Sequence, residues 1–107
     1  KITSTHLGTE DHGILTCWLQ LDFGGTSQGF GGYALDEYDA KAKKRIGTAY
    51  GLEFIKRVLA VVGVDSWEKL PKQYVRIDGD YRGINRIGHI TDDRWFDPKV
   101  DLKHMYV

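Results

Sequence analysis

Residues 14–23, with the sequence ILTCWLQLDF, alternate between two faces with a period of two residues. Such alternation predicts a half-buried β-strand. Its inward face would carry Leu15, Cys17, Leu19, Leu21 and Phe23. The segment that follows, GGTSQGFGGYALD (24–36), predicts a hairpin in which GGTSQ forms the turn and GFGGYAL (29–35) returns as a strand.

The glycines of this segment do not match a nucleotide-binding loop. The chain contains no Gly-Lys pair, so it lacks a Walker-type loop, and the glycines lie between two predicted strands rather than between a strand and a helix. Gly24 and Gly25 suit the positive φ angles of a tight turn. Gly29, Gly31 and Gly32, inside a strand, predict a β-bulge or a close approach of another group. The group expected to approach these glycines is the predicted helix at 48–62 or the surface of a partner. A ligand is the third choice.

The clearest helix begins after Thr48, a good N-cap residue, and stops at Gly63. The apolar residues at helical spacing, which should face the sheet, are Leu52, Ile55, Val58, Leu59 and Val62, with Phe54 and Val61 widening the stripe. We expect residues 36–46 to form a short helix or a solvated connection. Residues 73–77 and 84–90 are predicted to pair as a second hairpin. The predicted fold class is α+β: an antiparallel sheet of about four to five strands (two hairpins) with one long helix packed on one face, in a single domain over residues 1–107.

Composition restricts the classes of partner. The chain has 15 basic and 15 acidic residues, whereas a non-specific nucleic-acid binder normally shows a basic excess, so direct nucleic-acid binding is not expected. No apolar stretch reaches the ~20 residues of a membrane span, so no membrane association is expected. The single cysteine, Cys17, excludes an internal disulfide and predicts a buried free thiol, which suits a reducing cytoplasm.

Catalytic and metal-binding signatures are weak. No nucleophile motif is present, so the chain is predicted not to be an enzyme. The most ligand-like group is His6, Glu10, Asp11 and His12. Because His6 and Glu10 are expected on opposite sides of a loop, no metal and no other cofactor is predicted.

A second set of residues favours binding. On a hairpin strand, Arg76 and Arg86 would share an outward face with Tyr74. The candidate binding residues are Trp18, Tyr74, Arg76, Tyr81, Arg82, Arg86 and Trp95. Arginines interleaved with aromatic residues suit an acidic partner or a nucleotide-like ligand. The alternative is a solvated strand face whose arginines pair with Asp78, Asp80, Asp92 and Asp93.

Three segments resemble, in this order, a family of small bacteriophage- and prophage-encoded proteins: LGTEDHGILT, DFGGTSQGFGGYALD and GTAYGLEFIKRVLAVVGVDSWEKLP. The resemblance covers about residues 7–77 and implies no catalytic residue. It implies a protein made in the bacterial host cytoplasm during infection. By class, it implies an inhibitor that binds a host defence protein or nuclease complex, as anti-CRISPR proteins do. The alternative is a small-ligand binder that sequesters a phosphorylated or nucleotide defence signal. A homo-oligomer is compatible with either function.

Overall fold

The computed structural model describes residues 1–80 and 82–105. The chain forms three antiparallel sheets and one main helix. The first sheet contains β1 (Ile2–Glu10), β2 (Ile14–Phe23) and β3 (Thr26–Ala34). The second is the hairpin of β4 (Asp36–Asp39) and β5 (Lys44–Gly47). After the helix α1 (Ala49–Val62), the third contains β6 (Val75–Asp80), β7 (Gly83–His89) and β8 (Trp95–Phe96). Short helical turns are Trp67–Lys69, α2 (Pro98–Asp101) and Lys103–Met105.

The α+β class and the antiparallel pairing are confirmed, but the prediction of one sheet of four to five strands is wrong. The strands divide into sheets of three, two and three: the chain between β3 and α1 forms a hairpin of its own, and no strand pairing joins β1–β3 to β6–β8 in the described residues. Residues 36–46 are therefore neither a helix nor a solvated connection. The Asp39 side chain accepts hydrogen bonds from the N–H groups of Lys41 and Ala42, which supports the turn of that hairpin.

The first hairpin follows the alternation of the sequence closely. Cys17, Leu19 and Leu21 are buried on the inward face of β2, as predicted. Gly24 and Gly25 alone form the turn, with φ angles of 63° and 81°. Because a two-residue turn matches the twist of its strands, β3 begins at Thr26, three residues earlier than predicted.

A β-bulge lies at Gly31 and Gly32, and this part of the glycine prediction is confirmed. Trp18 pairs with Gly31 while Thr16 pairs with Ala34, so β3 contains one extra residue there. A Cβ atom on Gly31 would stand 2.6 Å from the carbonyl oxygen of Cys17. The expected helix neighbour is wrong: the close group at Gly31 is the β2 backbone. Cβ atoms on Gly29 and Gly32 would meet no helix atom within 4 Å either.

Helix α1 has the predicted caps and, apart from Leu52, the predicted buried face: Phe54, Val58, Val61 and Val62 are buried, and Ile55 and Leu59 pack against the core. The Thr48 hydroxyl accepts a hydrogen bond from Gly51 N–H at 2.9 Å, and Gly63 ends the helix at φ 90°. Leu52, predicted to face the core, is 64% exposed. The buried residues are Tyr50, Gly51, Phe54, Val58, Val61 and Val62. Gly51 allows the first turn of the helix to lie against the chain at Leu35, because a Cβ there would collide with the Leu35 carbonyl group.

One hydrophobic cluster joins the helix to both three-stranded sheets. At its centre, Phe30 of β3, Phe54 of α1 and Phe96 of β8 pack with ring centroids 5.3–6.2 Å apart. Edge-to-face and offset contacts at these distances are favourable for aromatic rings. The two-residue strand β8 is thus tied to the core by Phe96, and this fixes the position of its neighbour, Trp95.

Candidate binding surface

The third sheet positions the candidate site through its register. Ile77, Ile87 and Phe96 lie side by side across the three strands, and they face the core. The next row, Arg76, Gly88 and Trp95, lies on the opposite face, because successive side chains of a strand alternate. Arg86 and Asp78 form the neighbouring pair on that outer face. The predicted outward orientation of Arg76 and Arg86 is confirmed.

Both arginines lie over the same tryptophan ring. The guanidinium carbon of Arg76 is 4.7 Å from the centroid of Trp95, and that of Arg86 is 4.2 Å away. These distances are within the range of cation–π attraction. We call Arg76, Arg86 and Trp95 the arginine–tryptophan surface.

Hydrogen bonds fix both guanidinium groups from one side. Arg76 donates from Nε to His89 O at 2.7 Å and from Nη2 to Asp92 O at 2.6 Å. Arg86 donates from Nε to the Asp78 carboxylate at 2.8 Å. Within the described residues, the terminal NH₂ groups of Arg86 donate no hydrogen bond, so these donors remain for a partner.

The charge of the surface is only partly neutralised. Asp78, Asp80 and Asp92 pair with Arg86, Arg82 and Arg94, as the alternative interpretation of a solvated face expects. Arg76, however, is bonded to two carbonyl oxygens, and in the described part of the chain no carboxylate lies within ion-pair distance of it. Arg76 is therefore the arginine of this surface that has no ion-paired carboxylate among the described residues.

The remaining predicted site residues lie elsewhere. Tyr74 is exposed just before β6, with Lys1 Nζ 5.9 Å from its ring centroid. Arg82 lies at the tip of the β6–β7 hairpin and pairs with Asp80 at 3.1 Å. Tyr81 lies outside the described residues. Trp18 belongs to the first sheet, so the seven candidate residues lie on more than one surface.

Trp18 has its own polar surroundings on the outer face of the first sheet. Its ring stacks on His6 with centroids 5.5 Å apart, and its Nε1 donates to Glu10 at 3.2 Å. His6 Nε2 is 3.3 Å from the same carboxylate. The expectation that His6 and Glu10 lie on opposite sides of a loop is wrong, because β1 extends to Glu10 and places both on one face. The described residues contain no group of three or more potential metal ligands.

A polar cleft of about 380 Å³ lies between β3 and the β6–β7 hairpin. Gly29 and Gly31 line one side of it, and Arg82 and Asn85 line the other, with Tyr33 and Lys99 among the remaining residues. The glycines leave the backbone of β3 open to this cleft. Its charged lining is mixed, because Asp80 also lines it and pairs with Arg82, while Lys99 adds a second basic side chain.

Cys17 is a poor nucleophile in this fold. Its thiol is buried and free, and the burial raises its pKa to about 12. A thiol with such a pKa stays protonated at neutral pH. The prediction of a buried free thiol is confirmed.

Gly88 is the residue of the site that sequence reasoning missed. A Cβ atom at this position would stand 2.8 Å from two ring carbons of Trp95, so glycine is what allows the indole to lie against β7. The signal was present as a glycine inside the alternating segment INRIGHI. The residue that packs on Gly88, Trp95, could not be identified in this way, because it is placed there by β8, a strand of only two residues.

Comparison with known proteins gives no relative: no protein-family model, curated protein or solved structure matches this chain significantly. Of the helices in residues 1–80 and 82–105, none has the length and apolar character to cross a bilayer.

Proposed function

We propose that this protein is a non-catalytic binding protein that engages an acidic surface of a partner protein through the arginine–tryptophan surface. The supporting observation is the arrangement of Arg76 and Arg86 over Trp95, in which the terminal NH₂ groups of Arg86 donate no hydrogen bond within the described residues. Arginine and tryptophan are enriched among the residues that dominate binding energy at protein interfaces. Arginine also recognises carboxylates through two parallel hydrogen bonds.

The partner class to test first is a bacterial defence nuclease complex, with the protein acting as an anti-CRISPR-like inhibitor in the host cytoplasm. The motivation is the resemblance of residues 7–77 to phage-encoded proteins, together with the small size of the chain. The uncompensated charge of Arg76 adds a physical reason, because it favours an acidic patch on such a complex.

The test is co-elution with inhibition. The purified protein is mixed with each of a panel of purified bacterial nuclease complexes, and both size-exclusion profiles and nuclease activity are measured. We expect one complex to co-elute with the protein and to lose activity at a stoichiometric ratio. Separate elution from every complex, with unchanged nuclease activity, would contradict the proposal.

The second candidate function is sequestration of a small phosphorylated or nucleotide signal in the polar cleft. It is favoured by the open glycine backbone at Gly29 and Gly31 beside Lys99 and Arg82, although a phosphate would have to compete with Asp80 for Arg82. Backbone N–H groups and arginines together are a common solution for phosphate binding. A ligand that binds only the folded state raises the melting temperature, so thermal-shift measurements with nucleotides test this function. No shift at millimolar ligand would exclude it.

A further inference from the structure

Strand β1 is an edge strand. Its backbone pairs with β2 on one side. On the other side, Ile2 exchanges hydrogen bonds with the chain at Lys72 and Gln73. Beyond Ile2, residues 3–10 have no strand beside them in the described part of the chain.

The neighbouring bonds show which groups of this edge are free. Leu15 donates its N–H to the Asp36 carboxylate and accepts at its carbonyl from Leu35 N–H, so both groups point away from β1. Leu15 lies opposite Thr9. In an antiparallel pair, opposite residues either exchange both bonds or none. The N–H and C=O of Thr9 therefore point outward, and by alternation so do those of Leu7 and Thr5.

Beyond the register shift between Ile2 and Ser4, this edge lacks the usual protection against pairing. From Ile2 to Thr9 the strand contains no Lys, Arg, Asp, Glu or Pro. Charged residues and proline are the common means by which proteins block exposed edges. Leu7, on the core-facing side of the strand, is 42% exposed at this edge. An uncharged edge with free donors and acceptors beside an exposed leucine is suited to strand addition.

We propose that a second copy of this chain pairs with β1 in the antiparallel sense, centred on Leu7 of both copies. This register places Leu7 opposite Leu7 and Thr5 opposite Thr9 of the second copy. Thr5, Leu7 and Thr9 of each copy then pair through their outward N–H and C=O groups. These three pairs form about six hydrogen bonds, two for each pair.

The same register suits the side chains. The two leucines cover one another, and on the outer face His6 falls opposite Gly8 and Ser4 opposite Glu10. No two like charges stand opposite each other, which would be destabilising. The product is a symmetric dimer with one continuous six-stranded sheet, and the third sheet's outer face is not used. This inference is therefore independent of the proposed function.

The test is the oligomeric state measured by sedimentation over a range of concentrations. We expect wild-type protein to associate to a dimer, and Leu7→Lys to raise its dissociation constant at least about tenfold by placing two ammonium groups together. Leu52→Lys, on the exposed face of α1, is the matched control and should dimerise as wild type does. A wild-type protein that stays monomeric at high micromolar concentration would overturn the proposal.

Cysteine substitution tests the register even if Leu7→Lys fails to fold. Both cysteine variants are made in a Cys17→Ala background, because Cys17 lies opposite Leu7 in β2 and would otherwise form a disulfide within the chain. There, Leu7→Cys brings two thiols to a hydrogen-bonded pair position, with Cα atoms about 5.5 Å apart, which a disulfide can span. Thr5→Cys leaves the two introduced thiols four residues apart along the paired strands, so it should not cross-link. Oxidation should give a covalent dimer for Leu7→Cys alone. Equal cross-linking of both variants, or of neither, would overturn the proposed pairing.

Discussion

The indole ring of Trp95 lies against Gly88, at a distance that a single added methyl group would close. A Cβ atom at position 88 would stand 2.8 Å from two of the ring carbons. Gly88→Ala should therefore displace Trp95 and the two arginines above it, at a cost of roughly 1–3 kcal/mol in stability. The measurement is the near-ultraviolet circular dichroism of tryptophan together with urea unfolding. Gly47→Ala, where a Cβ would meet no atom within 4 Å, is the control. An unchanged spectrum for Gly88→Ala would contradict this contact.

The glycines of β3 should differ in their tolerance of substitution. Gly31 has a φ of 107° and its Cβ would collide with the Cys17 carbonyl. Gly31→Ala should destabilise the fold by roughly 1–3 kcal/mol, because it combines backbone strain with a steric conflict. Gly29 has room for a Cβ, since its nearest neighbour would be 3.8 Å away, and Gly29→Ala should stay within about 0.5 kcal/mol of wild type. Chemical denaturation measures both, and equal stabilities would exclude the bulge geometry.

The buried face of α1 can be tested with one pair of variants. Phe54 is buried among Phe30 and Phe96, so Phe54→Ala should cost roughly 3–5 kcal/mol. Leu52 is exposed, and Leu52→Ala should cost no more than about 0.5 kcal/mol. The free energies of unfolding from urea titrations give the comparison. A large loss for Leu52→Ala would restore the face that the apolar stripe of the sequence predicts.

Acid should weaken the β4–β5 hairpin. Arg45 donates to the Asp36 carboxylate from Nε and Nη2, at 3.0 and 2.8 Å, and this lowers the pKa of Asp36 from its ordinary 3.8. A carboxyl group whose pKa is lower in the folded state stabilises the fold above its unfolded pKa. That contribution is lost as the pH falls through the folded pKa. The stability advantage of wild type over Asp36→Asn should thus be constant near neutrality and shrink below pH 3.8.

Unfolding titrations across that range measure this difference directly. Asp93→Asn, at an exposed position, is the control and should follow the wild-type acid profile. Asp65 and Asp80 have pKa values lowered by Lys69 and Arg82, so Asp36→Asn should keep part of the acid sensitivity. An Asp36→Asn profile parallel to that of wild type at every pH would contradict the role of this ion pair.

Local patterns of the sequence predicted the elements better than their assembly. The alternation in ILTCWLQLDF gives the buried face of β2 because Cys17, Leu19 and Leu21 obey the strand period. Thr48 and Gly63 mark the helix because capping depends on neighbouring residues alone. The arrangement of the strands in three sheets and the exposure of Leu52 depend instead on contacts between residues far apart in the sequence, such as that between Gly51 and Leu35. Such contacts between distant residues leave little signal in local composition.

The candidate site was predictable to a similar extent. Strand parity placed Arg76 and Arg86 on one face, and the structure agrees. Trp95 joins them only because Phe96 is held in the core and β8 pairs with Gly88. Strand parity also placed Trp18 on the outer face of β2, but the alternation within one strand carries no information about which sheet lies beside it.

The most direct test of the proposed binding surface is a comparison of dissociation constants for the nuclease complex that co-elutes with the protein. Wild type is compared with Arg86→Gln, which removes one cation over Trp95, and with Lys56→Gln, which removes the same charge from the exposed face of α1. We predict that Arg86→Gln weakens binding by about tenfold or more, the usual effect at a dominant interface residue. Lys56→Gln should bind as wild type does. Equal affinity of Arg86→Gln and wild type would contradict the assignment of the arginine–tryptophan surface.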